Sequence, residues 1–382
     1  MLDFTIVKQV IRVGLAVLGF FIAIHFLSIS FHSIGHDFAN SFAMAFSNPA
    51  IGLFIGLLGT AILQSSSTTT SMAVTAVAAG SISLENAIPV VMGANIGTTL
   101  TSTIVSMSYV TKTAEFRKAV SAGVVHDMFN VLTCILLFPL EMKYGILSRT
   151  SMKLASLINI SEPAQNFSEK LFLYSFIEKI GSIVVEHAGV LVMLVLSFIL
   201  LFVTVKIISN ILYNQLIGNA KSKFESIAFK NTFKSFGWGF LLTSIIQSSS
   251  LTTSLIVPLV ATGKVNLRRA FQFIVGANLG TTITAILAAL FKSEAAMSLA
   301  IAHFLFNSVG LVFFLAIPFL RVIPIYLSEK LGAVALRFKL TAFAYIIVVF
   351  FLLPFTLIYF SKNNKIVSYE KEGAKKELIT NK

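Results

Sequence analysis

Charge is scarce in this sequence. Asp, Glu, Lys and Arg make up 12% of its 382 residues, about half the share of an ordinary soluble domain, and no long polar domain separates the apolar stretches, which excludes a soluble enzyme. Cysteine is almost missing. The single Cys134 lies inside an apolar run without a partner in the chain, so no intrachain disulfide can form. Tryptophan occurs once, at Trp238, where it suits a membrane interface. Short alternating strands are lacking as well: the apolar runs are far longer than the roughly ten-residue strands of a membrane β-barrel.

What is present is apolar bulk, with 56% hydrophobic residues and 36 phenylalanines. One membrane span needs about 20 apolar residues, so the expected fold class is an all-α polytopic membrane protein. The first run, residues 10–31, is long enough to span and lacks a small-residue cleavage site, so it is expected to stay as a helix. The 29 Lys and Arg against 16 Asp and Glu give a net charge of +13, which in a soluble protein would suggest nucleic acid. Here a positive-inside bias and anionic lipid head groups account for it, so the expected partner is the lipid bilayer, not nucleic acid.

Self-similarity is the most informative feature. Gln64-Ser65-Ser66-Ser67-Thr68-Thr69-Thr70-Ser71 returns 183 positions later as Gln247-Ser248-Ser249-Ser250-Leu251-Thr252-Thr253-Ser254. The same offset carries Gly80 to Gly263, and Gly93-Ala94-Asn95-Ile96-Gly97-Thr98-Thr99 to Gly276-Ala277-Asn278-Leu279-Gly280-Thr281-Thr282. A third pair, His126-Asp127-Met128-Phe129-Asn130 and His303-Phe304-Leu305-Phe306-Asn307, stands 177 positions apart, six residues having been lost from the preceding loop. The chain therefore divides into a first transmembrane repeat (1–140), a connector (141–187), a second repeat (188–360) and a polar basic tail (361–382).

Charge gives the two repeats opposite orientations. Residues 31–48 contain no Lys or Arg, whereas their counterparts 214–231 contain Lys221, Lys223 and Lys230, and Lys112, Arg117 and Lys118 mark one loop as cytoplasmic. The connector's five basic and five acidic residues suit the outside. The lysine-rich tail conflicts with a simple crossing by residues 340–360, so that segment or the one before it is expected not to cross simply.

Inverted repeats with interrupted helices are the architecture of secondary transporters, whose sites lie at the midplane. Residues 49–63 and 72–79 read as two short apolar helices around a polar turn, neither long enough to span. Hydroxyl and amide groups suit such a turn because backbone groups freed there need partners inside the bilayer. Two such turns meeting at a pseudo-two-fold axis would present hydroxyls, helix N-terminal amides and carbonyl oxygens, which can bind an oxyanion or serve as hard ligands for a small cation. Neither motif contains Lys or Arg, so a multivalent anion held there requires co-bound cations. The Gly-Ala-Asn-x-Gly-Thr-Thr elements read as a second helix break, with Asn95, Thr98, Asn278 and Thr281 supplying oxygens.

Blander readings compete. Serine and threonine in membrane helices commonly bond back to their own backbone, and spacings such as Gly52/Gly56 and Gly93/Gly97 mark tight helix packing. The duplication at matched positions favours function for the serine runs. His126 with Asn130, and His303 with Asn307, read as structural pairs four apart on one helical face. Asp127 has Phe304 in its place in the second half and reads as a structural or topological charge. An intramembrane serine hydrolase using Ser66 or Ser249 is disfavoured, since nothing at motif spacing places a base beside them; labelling by a covalent serine probe would revive it.

These residues together resemble the type II sodium-dependent phosphate cotransporter family. The resemblance rests on the paired Gln-Ser-Ser-Ser runs, the element from Ile88-Pro89 to Thr99, Glu115-Phe116-Arg117-Lys118-Ala119 leading to His126-Asp127-x-Phe129-Asn130, Pro139-Leu140-Glu141, and His303-x-x-Phe306-Asn307, and it covers roughly residues 10–355. It implies a compact bacterial-type, non-enzymatic symporter of the plasma (inner) membrane that takes up inorganic phosphate with sodium, through two re-entrant hairpins and without a cofactor. The implied phosphate ligands are Gln64, Ser65, Ser66, Ser67, Gln247, Ser248, Ser249 and Ser250. The implied sodium ligands are Gln64, Ser66, Thr69, Asn95, Thr98, Gln247, Ser249, Thr252, Asn278 and Thr281. Electrogenic members carry aspartate at the position of Gly80, so the glycine implies electroneutral cotransport, with two sodium ions balancing a divalent phosphate. The short connector lacks the disulfide-bearing loop of the animal members. A carrier or channel for another oxyanion is the alternative, and a homodimer is left open.

Overall fold

The computed structural model describes residues 4–33, 48–158, 172–213, 227–290 and 292–359. The tail, and most of the two stretches whose charge difference orients the repeats, lie outside them. Every regular element among the described residues is helical. Burial is inverted relative to a soluble protein: Ile135, Leu191 and Phe319 are 65%, 64% and 73% exposed, while a long series of Ser, Thr, Asn and His side chains is fully buried. Such a surface is compatible only with lipid. Five helical stretches are long and apolar enough to cross a membrane: Leu84–Met107, Glu115–Tyr144, Leu267–Ala289, Glu294–Ala316 and Leu340–Tyr359.

The chain opens with α1 (Phe4–Ser33). Then α2 (Pro49–Leu63), α3 (Ser66–Ala78), α4 (Leu84–Gly97), α5 (Leu100–Met107), α6 (Thr113–Tyr144) and α7 (Ile146–Leu157) follow. After α8 (Phe172–Ala188) and α9 (Val190–Tyr213), the order recurs in α10 (Thr232–Ile246), α11 (Ser249–Ser254), α12 (Ile256–Ala261), α13 (Leu267–Gly280), α14 (Thr282–Ala289) and α15 (Glu294–Leu311). The chain closes with α16 (Val322–Arg337) and α17 (Leu340–Ile347), which runs on through a π turn to Tyr359. The starts of the helices are written into the sequence at matched positions. Asn48 and Asn231 cap α2 and α10, accepting from the amides of Ala50 and Lys234, and Ser83 and Asn266 do the same for α4 and α13.

Two glycine-lined crossings hold each half together. A Cβ at Gly56 would collide with the carbonyl of Val90, one at Gly93 with that of Leu53, and one at Gly97 with that of Leu57. Their counterparts Gly239, Gly276 and Gly280 would strike the carbonyls of Phe273, Phe236 and Phe240. So α2 lies backbone to backbone on α4, and α10 on α13, because no side chain intervenes. Replacing Gly93 or Gly276 by valine is expected to cost about 3 kcal/mol or more, since overpacking against a rigid carbonyl cannot be relieved by a rotamer change. Loss of a monodisperse peak in detergent would show this. Gly52→Ala, whose Cβ would stand 3.4 Å from the Asn86 carbonyl, should be tolerated.

The connector contributes structure of its own. Glu141 is buried, accepting from the amides of Leu147 at 2.6 Å and Ser148 at 3.2 Å, and so caps the first turn of the amphipathic α7. Near the end, α16 has 16 residues, about 24 Å of helix against a hydrocarbon core of about 30 Å. Of the last two segments it is the one that falls short of a crossing.

Candidate functional site

Both polar turns are built the same way. α2 ends at Gln64 (φ 52°, ψ 31°) and α10 at Gln247 (φ 57°, ψ 26°), the two non-glycine residues with positive φ among the described residues. A side chain in that conformation costs roughly 1–2 kcal/mol, and strain of this kind clusters at functional sites. Ser65 and Ser248 then cap the next helices, their hydroxyls accepting from the amides of Thr68 at 3.2 Å and Leu251 at 3.3 Å. The hydroxyl run thus forms the first turns of α3 and α11, where the sequence suggested a longer loop.

The two turns meet. Ser67 Oγ donates to the Gln247 carbonyl at 2.9 Å, and Ser250 Oγ to the Gln64 carbonyl at 3.5 Å. The two halves interlock around this contact: α3 packs on α14 and α11 on α5, and Ser102 Oγ lies 3.1 Å from Thr253 Oγ1. Thr69 Oγ1 accepts from Thr60 Oγ1 at 2.9 Å and faces the Ser65 carbonyl, and Thr252 Oγ1 donates to the Ser248 carbonyl at 2.8 Å. Four side chains at the meeting point have no hydrogen-bond partner among the described residues: the amides of Gln64 and Gln247, and the hydroxyls of Ser66 and Ser249, the latter two residues only 4% and 2% exposed. Such groups inside a membrane are costly unless a ligand or water engages them.

A second polar layer ties the halves together. His126 Nε2 donates to Asn278 Oδ1 at 2.9 Å, and His303 Nε2 to Asn95 Oδ1 at 3.3 Å, so each histidine serves the asparagine of the other half. Asn278 Nδ2 donates to the side-chain oxygens of Asn130 and Asn307, both at 2.9 Å. Those two asparagines donate in turn to the backbone carbonyls of Asn95 and Asn278. The network fixes the amide orientations and places a proton on each histidine Nε2. In this conformation the side-chain oxygens of Asn95 and Asn278 are therefore engaged by histidine, while Thr98 and Thr281 donate to the Ala94 and Ala277 carbonyls and keep lone pairs free. The sequence singled out these histidines and asparagines. It paired them within one helix, because helical periodicity reports a shared face and not the partner across it.

Away from the turns, a cavity of about 830 Å³ opens among Arg117, Lys118, Ser121, Gly263, Asn266 and Glu329, beside the end of α12. Neither Arg117 nor Lys118 has a carboxylate within 4 Å among the described residues. The described residues hold no cluster of three or more His, Cys, Asp or Glu side chains that could bind a metal ion.

The fold and this buried, cation-free polar centre define a polytopic α-helical membrane protein with duplicated polar turns meeting at its core. The chain matches the Na+/Pi-cotransporter family over residues 20–157 and 199–371, and belongs to it. It is 30% identical to human sodium-dependent phosphate transport protein 2B over 90% of its own length and 64% of that protein. To the 2A proteins of mouse and rat it is 30% and 31% identical, over 81% of its length and 60% of theirs. It thus spans a little under two thirds of the length of these relatives. No solved structure matches it.

Proposed function

We propose that this chain is a secondary active symporter, not an enzyme, that carries inorganic phosphate across the bacterial inner membrane together with sodium. The observation that carries the reading is the meeting of two Gln-Ser-Ser-Ser turns whose Gln64, Ser66, Gln247 and Ser249 side chains have no hydrogen-bond partner among the described residues, in turns without Lys or Arg. Those donors, with Ser65, Ser67, Ser248 and Ser250 and the N-terminal amides of α3 and α11, suit phosphate oxygens. The oxygens of Thr69, Thr98, Thr252 and Thr281 suit sodium beside it. Asn95 and Asn278 could join once released by their histidines. The halves are inverted, and each short hairpin enters from its own face. The Arg117–Lys118 cavity is the cytoplasmic vestibule.

Without a fixed cation, divalent phosphate enters such a site only with its counter-ions, so coupling is obligatory. A tenfold sodium gradient contributes about 1.4 kcal/mol per ion, and two ions sustain roughly hundredfold accumulation. Radiolabelled phosphate uptake into proteoliposomes should therefore require an inward sodium gradient. Equal uptake from potassium medium would overturn the reading, and stronger competition by unlabelled sulfate than by unlabelled phosphate would favour the other-oxyanion alternative.

A further inference from the structure

We infer that the cavity between α6, the α12–α13 turn and α16 is a binding site for a phospholipid of the cytoplasmic leaflet, one with an anionic phosphodiester and hydroxyls in its head group, as in phosphatidylglycerol. The inference takes its orientation from the reading above and is independent of which anion is carried. Arg117 and Lys118 stand near the start of α6 and are exposed, and neither has a carboxylate within 4 Å among the described residues. Lys118 reaches across to the second half, its Nζ 3.7 Å from where a Cβ on Gly263 would lie. Two cations on one cavity wall without anions of their own suit an anionic ligand, and basic pockets between helices on the cytoplasmic side of a membrane take lipid phosphates.

Size and lining favour a lipid over a bare ion. A volume of about 830 Å³ lies in the range of pockets that enclose organic molecules, and inorganic phosphate would fill a small part of it. Val260, Val265, Leu267 and Leu336 supply apolar wall, which a free ion leaves bare and an acyl chain covers. The course of α16 shows where that chain leaves. Val322, Glu329 and Leu336 recur every seven residues and so share one face. The strip beside it carries Tyr326, which is 57% exposed, and the exposed Lys330 and Arg337. Aromatic and basic side chains mixed in this way lie at a membrane interface, so the cavity opens beside lipid.

Glu329 selects the head group. Its carboxylate also lines the cavity, with no Lys or Arg nitrogen within 4 Å among the described residues, so two cations and one carboxylate leave the lining at +1. A phosphodiester with an uncharged polyol neutralises that charge, and its hydroxyls donate to Glu329. A zwitterionic ethanolamine lipid leaves the excess in place. With the cations so covered, an anion released from the serine turns passes a neutral wall instead of being held at the exit.

The test is binding of radiolabelled phosphatidylglycerol to the purified full-length chain, stripped of lipid in dodecyl maltoside. Unlabelled phosphatidylglycerol should displace the label about fivefold better than phosphatidylethanolamine does. Arg117→Gln/Lys118→Gln should weaken binding roughly thirtyfold, whereas Lys143→Gln/Arg149→Gln, which removes as much exposed charge beyond the other end of α6, should leave it unchanged. Leu336→Trp fills the cavity without altering charge; it should weaken binding too, and it decides the matter if the charge variant fails to fold. Gln64→Ala/Gln247→Ala should bind the lipid as the wild type does, which separates failure here from failure of the transport reading. Unchanged binding by either folded cavity variant, or equal displacement by the two lipids, would overturn the inference. So would binding of labelled inorganic phosphate to the Gln64→Ala/Gln247→Ala protein that Arg117→Gln/Lys118→Gln abolishes, because the cavity would then hold the free ion.

Discussion

Alanine at Ser66 or at Ser249 is expected to lower phosphate uptake ten- to hundredfold, and alanine at both to abolish it, while the protein remains folded. Each hydroxyl is buried at a helix N-terminus and has no partner among the described residues, so its removal leaves no protein group unsatisfied. What is lost is a hydrogen bond to a charged ligand, about 1.5–3 kcal/mol. Gln64→Ala and Gln247→Ala should act in the same direction. Because both glutamines have positive φ, Gln64→Gly adds a control: it relieves the backbone while removing the amide, so a stable but inactive variant assigns the effect to the side chain. Ser67 and Ser250 differ, since their hydroxyls already face the opposite turn's carbonyl; their loss should loosen the meeting of the turns. The exposed Ser108, whose hydroxyl donates to the Val105 carbonyl, is the neutral comparison. Initial rates of labelled phosphate uptake, with surface amounts matched, give the answer, and normal transport by the Ser66 and Ser249 variants would remove these turns from the site.

Much of this arrangement is legible in the residues themselves. Apolar run lengths separate helices from strands, and the constant offset places Gln64 against Gln247 and Gly93 against Gly276 before any coordinates exist. A duplicated sequence in one compact chain implies duplicated packing, and the glycine crossings of α2 on α4 and α10 on α13 follow it position for position. What periodicity cannot supply is the partner across a helix face. His126 and Asn130 share a face, but that the face meets Asn278 of the other half depends on how α6 is threaded between α13 and α15. The connector is opaque for a related reason. Glu141 counts as one more charge in a balanced segment, whereas in the fold the left-handed turn at Gly145 brings the chain back so that Glu141 caps α7.

Uptake by the wild-type protein is expected to be indifferent to membrane potential. On the proposed stoichiometry, two sodium ions and one divalent phosphate form a neutral cargo, so no net charge crosses. Were one charge uncompensated, an inside-negative potential of 100 mV would add about 2.3 kcal/mol of driving force, roughly a fiftyfold change in the accumulation ratio. Gly80 is the place to alter this balance. It ends α3 with φ +70°, solvent-exposed, with nothing within 4 Å of a Cβ built on it, and stands some 14 residues, or about 21 Å of helix, from the Ser66 end. Aspartate is one of the few residues that accept this backbone conformation, so Gly80→Asp should fold and place a carboxylate on the hairpin's rim, where it can hold a further sodium ion and make transport respond to voltage. Proteoliposomes clamped with potassium and valinomycin at several potentials measure both proteins. Faster uptake by the wild type at inside-negative potential would refute electroneutrality, and a Gly80→Asp protein that transports but ignores the potential would show that this glycine does not set the charge balance.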